Sequence, residues 1–518
     1  MDGDNDIRQP DWGPFGRPLF DDPKARALSR VGVVDVGSNS VRLVVFDGAA
    51  RSPAYFYNEK IMCGLGIGMR ETGLLNPEGR KRAISALKRF QLVAEGMKIT
   101  PLTAVATAAV REAEDGPEFV KEVEDLIGLP LFVIDGREEA RLSAQGVLLG
   151  WPGAEGIVSD IGGSSMELAQ LTGGAVGERL TSSLGPQVLA GVKGGKKGRR
   201  AFIRQRIESM AERLEVKGKR LFLVGGSWRA FARIDMARNQ YPLTVQHEYR
   251  MTTKSALETA KFILNHEPSE VASLSGVSSN RMSMVPLATE VLAQLIRMMS
   301  PREIAISAYG IREGMLYQQM PEELRARDPL IEACRFAEAK DARLPGFGRT
   351  LYGFVQPLFR TAPPTRQRIY KAACLLHDVS WRAHPDYRAE VCFDNATRAN
   401  LGGLTHEERV FLGVSLLHRY KNSRQGSPFT PLFSLLNEKQ LHEAEVLGKA
   451  MRLGAMFSVQ MPELMGELRW FPKKKRLEMW LPERTRALFG EVAKARFQSL
   501  ASTLDAETAV HVRRESAR

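Results

Sequence analysis

The segment Val31-Gly-Val-Val-Asp-Val-Gly-Ser-Asn-Ser-Val-Arg-Leu-Val-Val-Phe46 and the segment Gly156-Ile-Val-Ser-Asp-Ile-Gly-Gly-Ser-Ser-Met-Glu-Leu-Ala-Gln-Leu171 follow one plan. In each, an apolar run ends at an acid, Asp35 or Asp160, and a turn of glycine and small polar residues leads into a second apolar run. Such runs predict strand pairs. Glycine lets the backbone turn where a Cβ would clash, and the hydroxyl, amide and N–H groups at the turn suit an anion and the cation it carries. A single hairpin of this kind is as readily an ordinary turn capped by its Asp and Asn. Two of them, each opening roughly a hundred residues of mixed α/β sequence, predict a duplicated domain whose loops face one cleft.

The chain of 518 residues exceeds what one core can serve, and about three domains are expected. Residues 1–29, acidic and Pro-rich, read as a flexible tail, 30–150 as a first α/β lobe, 151–320 as a second, and 321–518 as a mainly helical region. The joint between lobes and helical region is expected between about Pro321 and Asp341. No apolar run is long enough to span a membrane, and the start lacks the features of a signal peptide. Cys63, Cys334, Cys374 and Cys392 have no CxxC spacing and read as reduced, mostly buried residues of a cytoplasmic protein. A net charge of +13 favours a polyanionic partner, with a basic surface lacking any partner as the alternative.

Within the first lobe, Ala54–Lys60 and Leu129–Ile134 read as strands, Glu78–Lys98 and Asp115–Ile127 as helices, and Gly64–Gly68 as a flexible connection. Leu102 begins a strand that runs out at Thr107 into a helix start carrying Arg111, and another helix opens near Arg137. In the second lobe Gly191–Arg200 reads as a basic loop before a helix at Ala201–Leu214, and Arg220–Val224 as a strand turning at Gly225 and Gly226. Charged residues thus fall at strand-to-helix junctions, where α/β proteins place their chemistry. Asp35, Asp160 and Glu167 offer the oxygen ligands a hard cation such as Mg²⁺ prefers. The N–H groups of Gly37–Asn39 and Gly162–Ser165 can form anion sites, and Arg111 can grip a phosphoryl group bidentately. Glu138 and Glu139 would point about a hundred degrees apart on a helix, so only one can face the cleft and orient a water. A surface pairing of Arg111 with Glu112 or Asp115, and first-turn helix acids at 138 and 139, are the alternatives.

Six segments in order carry a resemblance: Val34-Asp-Val-Gly-Ser-Asn-Ser40, Ala106-Thr-Ala-Ala-Val-Arg-Glu-Ala113, Asp135-Gly-Arg-Glu-Glu-Ala-Arg-Leu142, Asp160-Ile-Gly-Gly-Ser-Ser-Met-Glu167, Gly225-Gly-Ser-Trp-Arg-Ala230 and Ser307-Ala-Tyr-Gly-Ile-Arg-Glu-Gly314. Together they resemble the exopolyphosphatase–guanosine pentaphosphate phosphatase family of the actin/Hsp70/sugar-kinase superfamily, well over residues 31–320 and loosely beyond. The resemblance implies an α/β fold of two actin-like, ribonuclease H-like lobes forming a cleft, followed by a mainly α-helical HD-like domain. It implies Glu139 as catalytic base and Arg111 as the clamp on the terminal phosphoryl group. Asp160 and Glu167, with Asp35 on the same side, would serve Mg²⁺ or Mn²⁺. Gly37, Ser38, Asn39, Ser40, Gly162, Gly163, Ser164, Ser165, Gly225 and Gly226 would bind phosphate.

The activity so implied is release of terminal orthophosphate from inorganic polyphosphate by a cytoplasmic homodimer. Guanosine pentaphosphate (pppGpp) as substrate is the alternative, and a sensor holding an alarmone such as guanosine tetraphosphate, or polyphosphate, without turnover is another. A sugar-kinase or chaperone-type ATPase shares the two hairpins, but Arg137-Glu-Glu-Ala-Arg141 points away from it. The chain departs from the family pattern twice. Ser164 stands where a third glycine is usual and would be strained if that position needs φ > 0. Leu375-Leu-His-Asp-Val379 resembles the His-Asp pair of an HD domain, followed by His384, His406 and His418, but no histidine lies between His266 and His377 to complete an ordinary metal set. Lys193–Arg200, Arg469 and Lys473–Arg476 are expected either to grip a long anion or to be solvated surface.

Overall fold

The computed structural model describes residues 30–47, 51–52, 54–99, 102–214, 217–457 and 466–513. These fall into two compact units, one ending at Arg327 and the other beginning at Asp328. The tail expected over residues 1–29 lies outside the described residues.

The first unit holds two sheets. One is built from β1 (Val31–Val36), β2 (Ser40–Asp47), β3 (Ala54–Met62), β4 (Leu102–Ala106) and β5 (Leu131–Val133), in the order β3-β2-β1-β4-β5. The other contains β6 (Gly156–Ile161), β7 (Met166–Thr172), β8 (Ala175–Ser182), β9 (Arg220–Val224), β10 (Arg250–Met251) and β11 (Glu303–Ile306), in the order β10-β11-β9-β6-β7-β8. Read from its far edge, β8-β7-β6-β9-β11 repeats the first sheet. β1 runs antiparallel to β2 and parallel to β4, as β6 does to β7 and β9. The duplication read from the two hairpins is therefore a duplication of whole sheets, as an actin-like pair of lobes requires.

The helices include α1 (Pro77–Gly96), α2 (Ala108–Glu112), α3 (Gly116–Ile127), α4 (Gly136–Gly150), α5 (Gly195–Ala211), α6 (Gly226–Arg238), α7 (Thr253–Asn265), α8 (Val285–Met299) and α9 (Ile311–Gln318). Leu87 and Phe90 of α1 and Phe119 of α3 pack on Val34, Leu43 and Val45 of the first sheet. The opposite face of that sheet, Val33, Val44 and Val105, meets Leu142 and Leu149 of α4 and Met315 of α9. Ala140, Ala144, Val147 and Leu148, on the other side of α4, pack on Val158, Ala169 and Phe222 of the second sheet. Helix α4 is thus buried between the sheets, which is why its sequence is apolar nearly all round after the first turn. Glycines bring α4 and α9 into backbone contact: a Cβ on Gly146 would strike the backbone of Gly310, and one on Gly314 the carbonyl of Leu142.

Two local expectations are corrected. Gly64–Gly68 is an ordered turn fixed to the first hairpin loop: the N–H groups of Cys63 and Gly64 donate to the Asn39 carbonyl at 3.1 and 3.0 Å, and that of Gly66 to the Ser38 carbonyl at 2.9 Å. The basic stretch before Ala201 is already helical from Gly195: Gly194 adopts φ 88° at the helix start, and the lysines and arginines that follow are good helix formers.

The second unit contains α10 (Pro329–Asp341), α11 (Phe347–Val355), α12 (Pro364–Leu376), α13 (Arg388–Arg398), α14 (His406–Tyr420), α15 (Glu438–Phe457) and α16 (Glu491–Thr503). It also carries a sheet of β12 (Glu467–Phe471), β13 (Arg476–Pro482) and β14 (Glu507–Arg513). Leu477, Met479 and Leu481 on alternate positions of β13 all point inward, a period-2 signal inside a region read as helical. Some of the basic residues set aside as a grip for anions are paired at home: Arg199 with Glu290, Arg469 with Glu467, Lys475 with Asp505 and Arg476 with Glu478.

Candidate active site

The two hairpin loops are built alike. Gly37 N–H donates to the Ser40 carbonyl and Gly162 N–H to the Ser165 carbonyl, both at 3.0 Å. The Gly163 and Ser164 carbonyls accept from Gln187 and Gly185 at 2.9 and 3.0 Å, as those of Ser38 and Asn39 accept from the glycine turn already described. With their carbonyls engaged, the loops have N–H and hydroxyl groups left to offer an anion. Ser164 occupies the turn position that Asn39 holds in the first copy. It does not adopt positive φ, so the expected strain is absent, and its Oγ is buried without a hydrogen-bond partner.

Gly37, Ser38, Asn39, Ser40, Gly162, Gly163, Gly225 and Gly226 line one cleft of about 440 Å³, together with Asp35 and Asp160. Gly225, at φ 110°, passes so close to Asp160 that a Cβ there would lie 3.0 Å from its Oδ1. Asp160 is fixed from the other side by the Ser143 hydroxyl of α4. Glu139, Glu167, Arg111, Ser164 and Ser165 are not part of the cleft lining.

Glu139 and Glu167 are 6% and 1% exposed and lie within electrostatic reach of each other and of Asp160. Burial first, then the neighbouring carboxylate of Asp160, pushes Glu139 up to about 8. Burial, then Glu139, raises Glu167 well above the usual carboxylate range, and burial raises Asp35 and Asp160 as well. Asp135 caps α4 by accepting from Glu138 N–H at 2.7 Å, which sets the first turn so that Glu139 faces inward while Glu138 pairs with Arg141. Arg111 Nη1 donates to the Ile134 carbonyl at 2.8 Å and lies 3.4 Å from Glu139 Oε2, with Glu112 at 3.6 Å from Nη2. The clamp and base read from the sequence are in contact, and the alternative pairing with Glu112 coexists with it.

Sequence reasoning missed most of the cations. Arg42, Lys60, Arg229, Arg281 and Arg312 also line the cleft. Asp35, Arg42 and Lys60 lie abreast across β1, β2 and β3. The same row in the second copy reads Asp160, Glu167 and Thr181. One lobe therefore presents cations where the other presents an acid. Arg312 Nη1 donates to Asp35 at 3.3 Å. Burial, then repulsion from Arg312 and Arg229, pushes Arg42 down to about 10, a mark of cations crowded without enough anions. Arg229 and Arg312 stood inside quoted segments at strand-to-helix junctions, the criterion that singled out Arg111. Arg42 and Lys60 needed the strand register.

Among the described residues, no group of three or more His, Cys, Asp or Glu side chains stands close enough to enclose a metal ion. A magnesium ion does not need such a cage, since it keeps several waters and takes one or two carboxylates plus substrate phosphates. Asp160 and Glu167 fit that role: they pair across β6 and β7, both are buried, and Glu167 Oε2 has no hydrogen-bond partner while its Oε1 accepts from Thr181 at 3.0 Å. In the second unit Asp378 is held through both oxygens by Arg343, and His377 Nδ1 lies 2.7 Å from the Cys374 carbonyl. His384 is exposed beside Asp386, and His406 and His418 lie buried in α14. All four cysteines are free and buried, as expected.

Comparison with known proteins bears on the family and the fold. A model described as the Ppx/GppA phosphatase family matches residues 44–323, and one described as "Exopolyphosphatase, C-terminal" matches residues 351–510. Among curated proteins, the chain is 25% identical over 453 residues to retrograde regulation protein 2 of Saccharomyces cerevisiae, spanning 77% of this chain and 74% of that protein. Among solved structures, an exopolyphosphatase from Cytophaga hutchinsonii aligns with TM-score 0.51 at 24% identity, covering 56% of this chain and 97% of the other. The Aquifex aeolicus Ppx/GppA family member aligns with TM-score 0.50 at 23% identity over the same shares. These likenesses establish a shared fold. No helix among the described residues is long and apolar enough to cross a membrane.

Proposed function

Since this chain belongs to the Ppx/GppA phosphatase family, we propose that it is a hydrolase releasing terminal orthophosphate from inorganic polyphosphate. The observation that carries the choice of substrate is the cleft lining: two glycine loops and five cations, with Met62, Ile161, Val224, Met284 and Ile311 as its larger apolar residues and, among the described residues, no aromatic side chain. A run of phosphates is matched by Arg42, Lys60, Arg229, Arg281 and Arg312, whereas a guanine ring would find no aromatic face to stack on.

In this reading the loops at Ser38–Ser40 and Gly162–Gly163 hold the chain end through N–H groups and the hydroxyls of Ser38 and Ser40, and Gly225 and Gly226 border it. Arg111 orients Glu139, whose carboxylate accepts a proton from the attacking water. Asp160 and Glu167, with Asp35 alongside, are the residues to hold Mg²⁺ or Mn²⁺, which when bound offsets negative charge on the phosphates. Ser143 keeps Asp160 turned toward the cleft.

Phosphate release from long-chain polyphosphate and from guanosine pentaphosphate by one preparation, with and without Mg²⁺, tests the proposal. Faster turnover of the pentaphosphate would overturn the substrate assignment. The sensor reading draws on the regulatory name of the yeast relative. Glu139→Gln separates the two: an enzyme loses about 10²- to 10⁴-fold in turnover while still binding polyphosphate, whereas a sensor shows no turnover to lose.

A further inference from the structure

Beside the cleft a second hollow of about 340 Å³ opens in the same lobe as Gly225, and Arg229, Ser278 and Arg281 line both. Helix α6 makes the link. It begins at Gly226 in the cleft, carries Arg229 at the end of its first turn and Arg233 one turn later, and Arg233 lines the second hollow alone. Positions four apart share one face of a helix and are about 6 Å apart along its axis, so the two arginines step outward from the cleft in a row. Arg281 faces them from the segment 276–281, with Nη1 donating to the Gly226 carbonyl at 3.4 Å. Arg229 Nε donates to the Gly225 carbonyl, also at 3.4 Å, and Gln246 Nε2 holds the Arg229 carbonyl at 2.8 Å. Bonds as long as the two from the arginines hold their forks only weakly. Among the described residues none of the three arginines is in an ion pair, and no acid lines the hollow. Burial, then repulsion from Arg312 and Arg281, lowers Arg229, as it must where cations gather without anions.

We propose, on the footing of the hydrolase reading above, that this hollow takes the inner phosphates of a long chain whose end sits in the cleft, and that Arg233 thereby favours long polyphosphate over short. Each guanidinium can give two parallel N–H groups to the oxygens of one phosphoryl unit. Arg229 and Arg281 stand at the passage between the two spaces, and Arg233 lies beyond them. A short chain is satisfied within the cleft, whereas a long one has further charge to place, and Arg233 meets it. A nucleoside fits the hollow poorly. Ala230 and Val277 are its apolar side chains, and among the described residues it offers no aromatic face for a base and no carboxylate for a ribose hydroxyl.

Steady-state phosphate release by the full chain from tripolyphosphate and from long-chain polyphosphate tests this. Arg233→Met is expected to raise the ratio of KM for long chains to KM for tripolyphosphate about tenfold. Arg233→Lys, which keeps the charge but loses the fork, is expected to raise it less. Damage to folding alone would fall on both substrates and leave the ratio as it was. Calorimetric titration with long-chain polyphosphate, which needs no turnover, separates the hollow from the hydrolysis. Binding weakened about tenfold by Arg233→Met, in a chain that releases no phosphate, would keep the hollow and overturn the hydrolase. An unchanged KM ratio in an active enzyme, or unchanged polyphosphate binding in an inactive one, would overturn the role of the hollow.

Discussion

At the scale of single residues, the second lobe concentrates acid where the first concentrates base, and the cost falls on the buried carboxylates. Glu167 is 1% exposed, has a bare Oε2 and faces Glu139 and Asp160. Burying an unpaired carboxyl beside two others is unfavourable, so its retention points to function rather than stability. Glu167→Gln is expected to stabilise the cation-free protein by about 1 kcal/mol or more, seen as a higher melting temperature, and to lower phosphate release; thermal melts and an orthophosphate assay check both. Loss of stability with full activity would remove Glu167 from the site. Arg42→Met is expected to raise KM for polyphosphate with a smaller change in kcat, because it lines the cleft beside Asp35 without touching the Arg111–Glu139 pair. The acids by the loops were legible in the sequence, since each follows a strand and precedes a glycine turn. Arg42 and Lys60 were not, because their alignment with Asp35 depends on cross-strand register, which a linear pattern leaves open.

At the scale of elements, the candidate base and the cation on Asp35 ride on two helices held in backbone contact. Gly146 of α4 meets Gly310, and Gly314 of α9 meets Leu142. A methyl group at either glycine must push α4 and α9 apart, which shifts Glu139 relative to Arg312. Gly314→Ala is expected to cost about 1–3 kcal/mol in stability and to reduce turnover, read by denaturant unfolding and steady-state kinetics. Undiminished activity would show that this helix pair does not set the geometry of the site. A second pair, α14 and α15, predicts an acid sensitivity. His418 is fully buried where Gly448 of α15 packs against it, with Glu445, Lys449 and Arg424 as the charges in reach. Burial pushes His418 down to about 4, so its neutral form is the one that fits. Stability tied to it is present above the ordinary histidine value of 6.5 and is lost as pH falls from there toward 4, amounting to about 3 kcal/mol. Melts between pH 7 and 4.5 should show this loss, and His418→Gln should flatten it. Helix α4 was legible as a helix from Arg137 onward, while its cap at Asp135 was not. Its position between two sheets was not, because apolar residues on every side say that a helix is buried without saying against what.

At the scale of the whole molecule, the two units own separate cores. The apolar clusters of the first draw on residues from Val31 to Leu324, and that of the second on residues from Leu330 to Ala501. The lining of the cleft runs from Asp35 to Arg312 and lies wholly in the first. The repeat of two hairpins announced the paired sheets, whereas the sheet β12–β14 went unread because short strands inside a helical region carry little signal of their own. Separate cores of this size are the condition for independent folding. A chain stopped after Arg327 is therefore expected to unfold in one cooperative transition and to release orthophosphate from tripolyphosphate at a rate within about tenfold of the full chain. Its KM should rise with added salt more steeply than its kcat falls, since five cations in one cleft bind by charge that ions screen. Circular dichroism melts and kinetics at two salt concentrations read these outcomes. A truncated chain that folds yet releases no phosphate would mean that the second unit supplies part of the catalytic machinery.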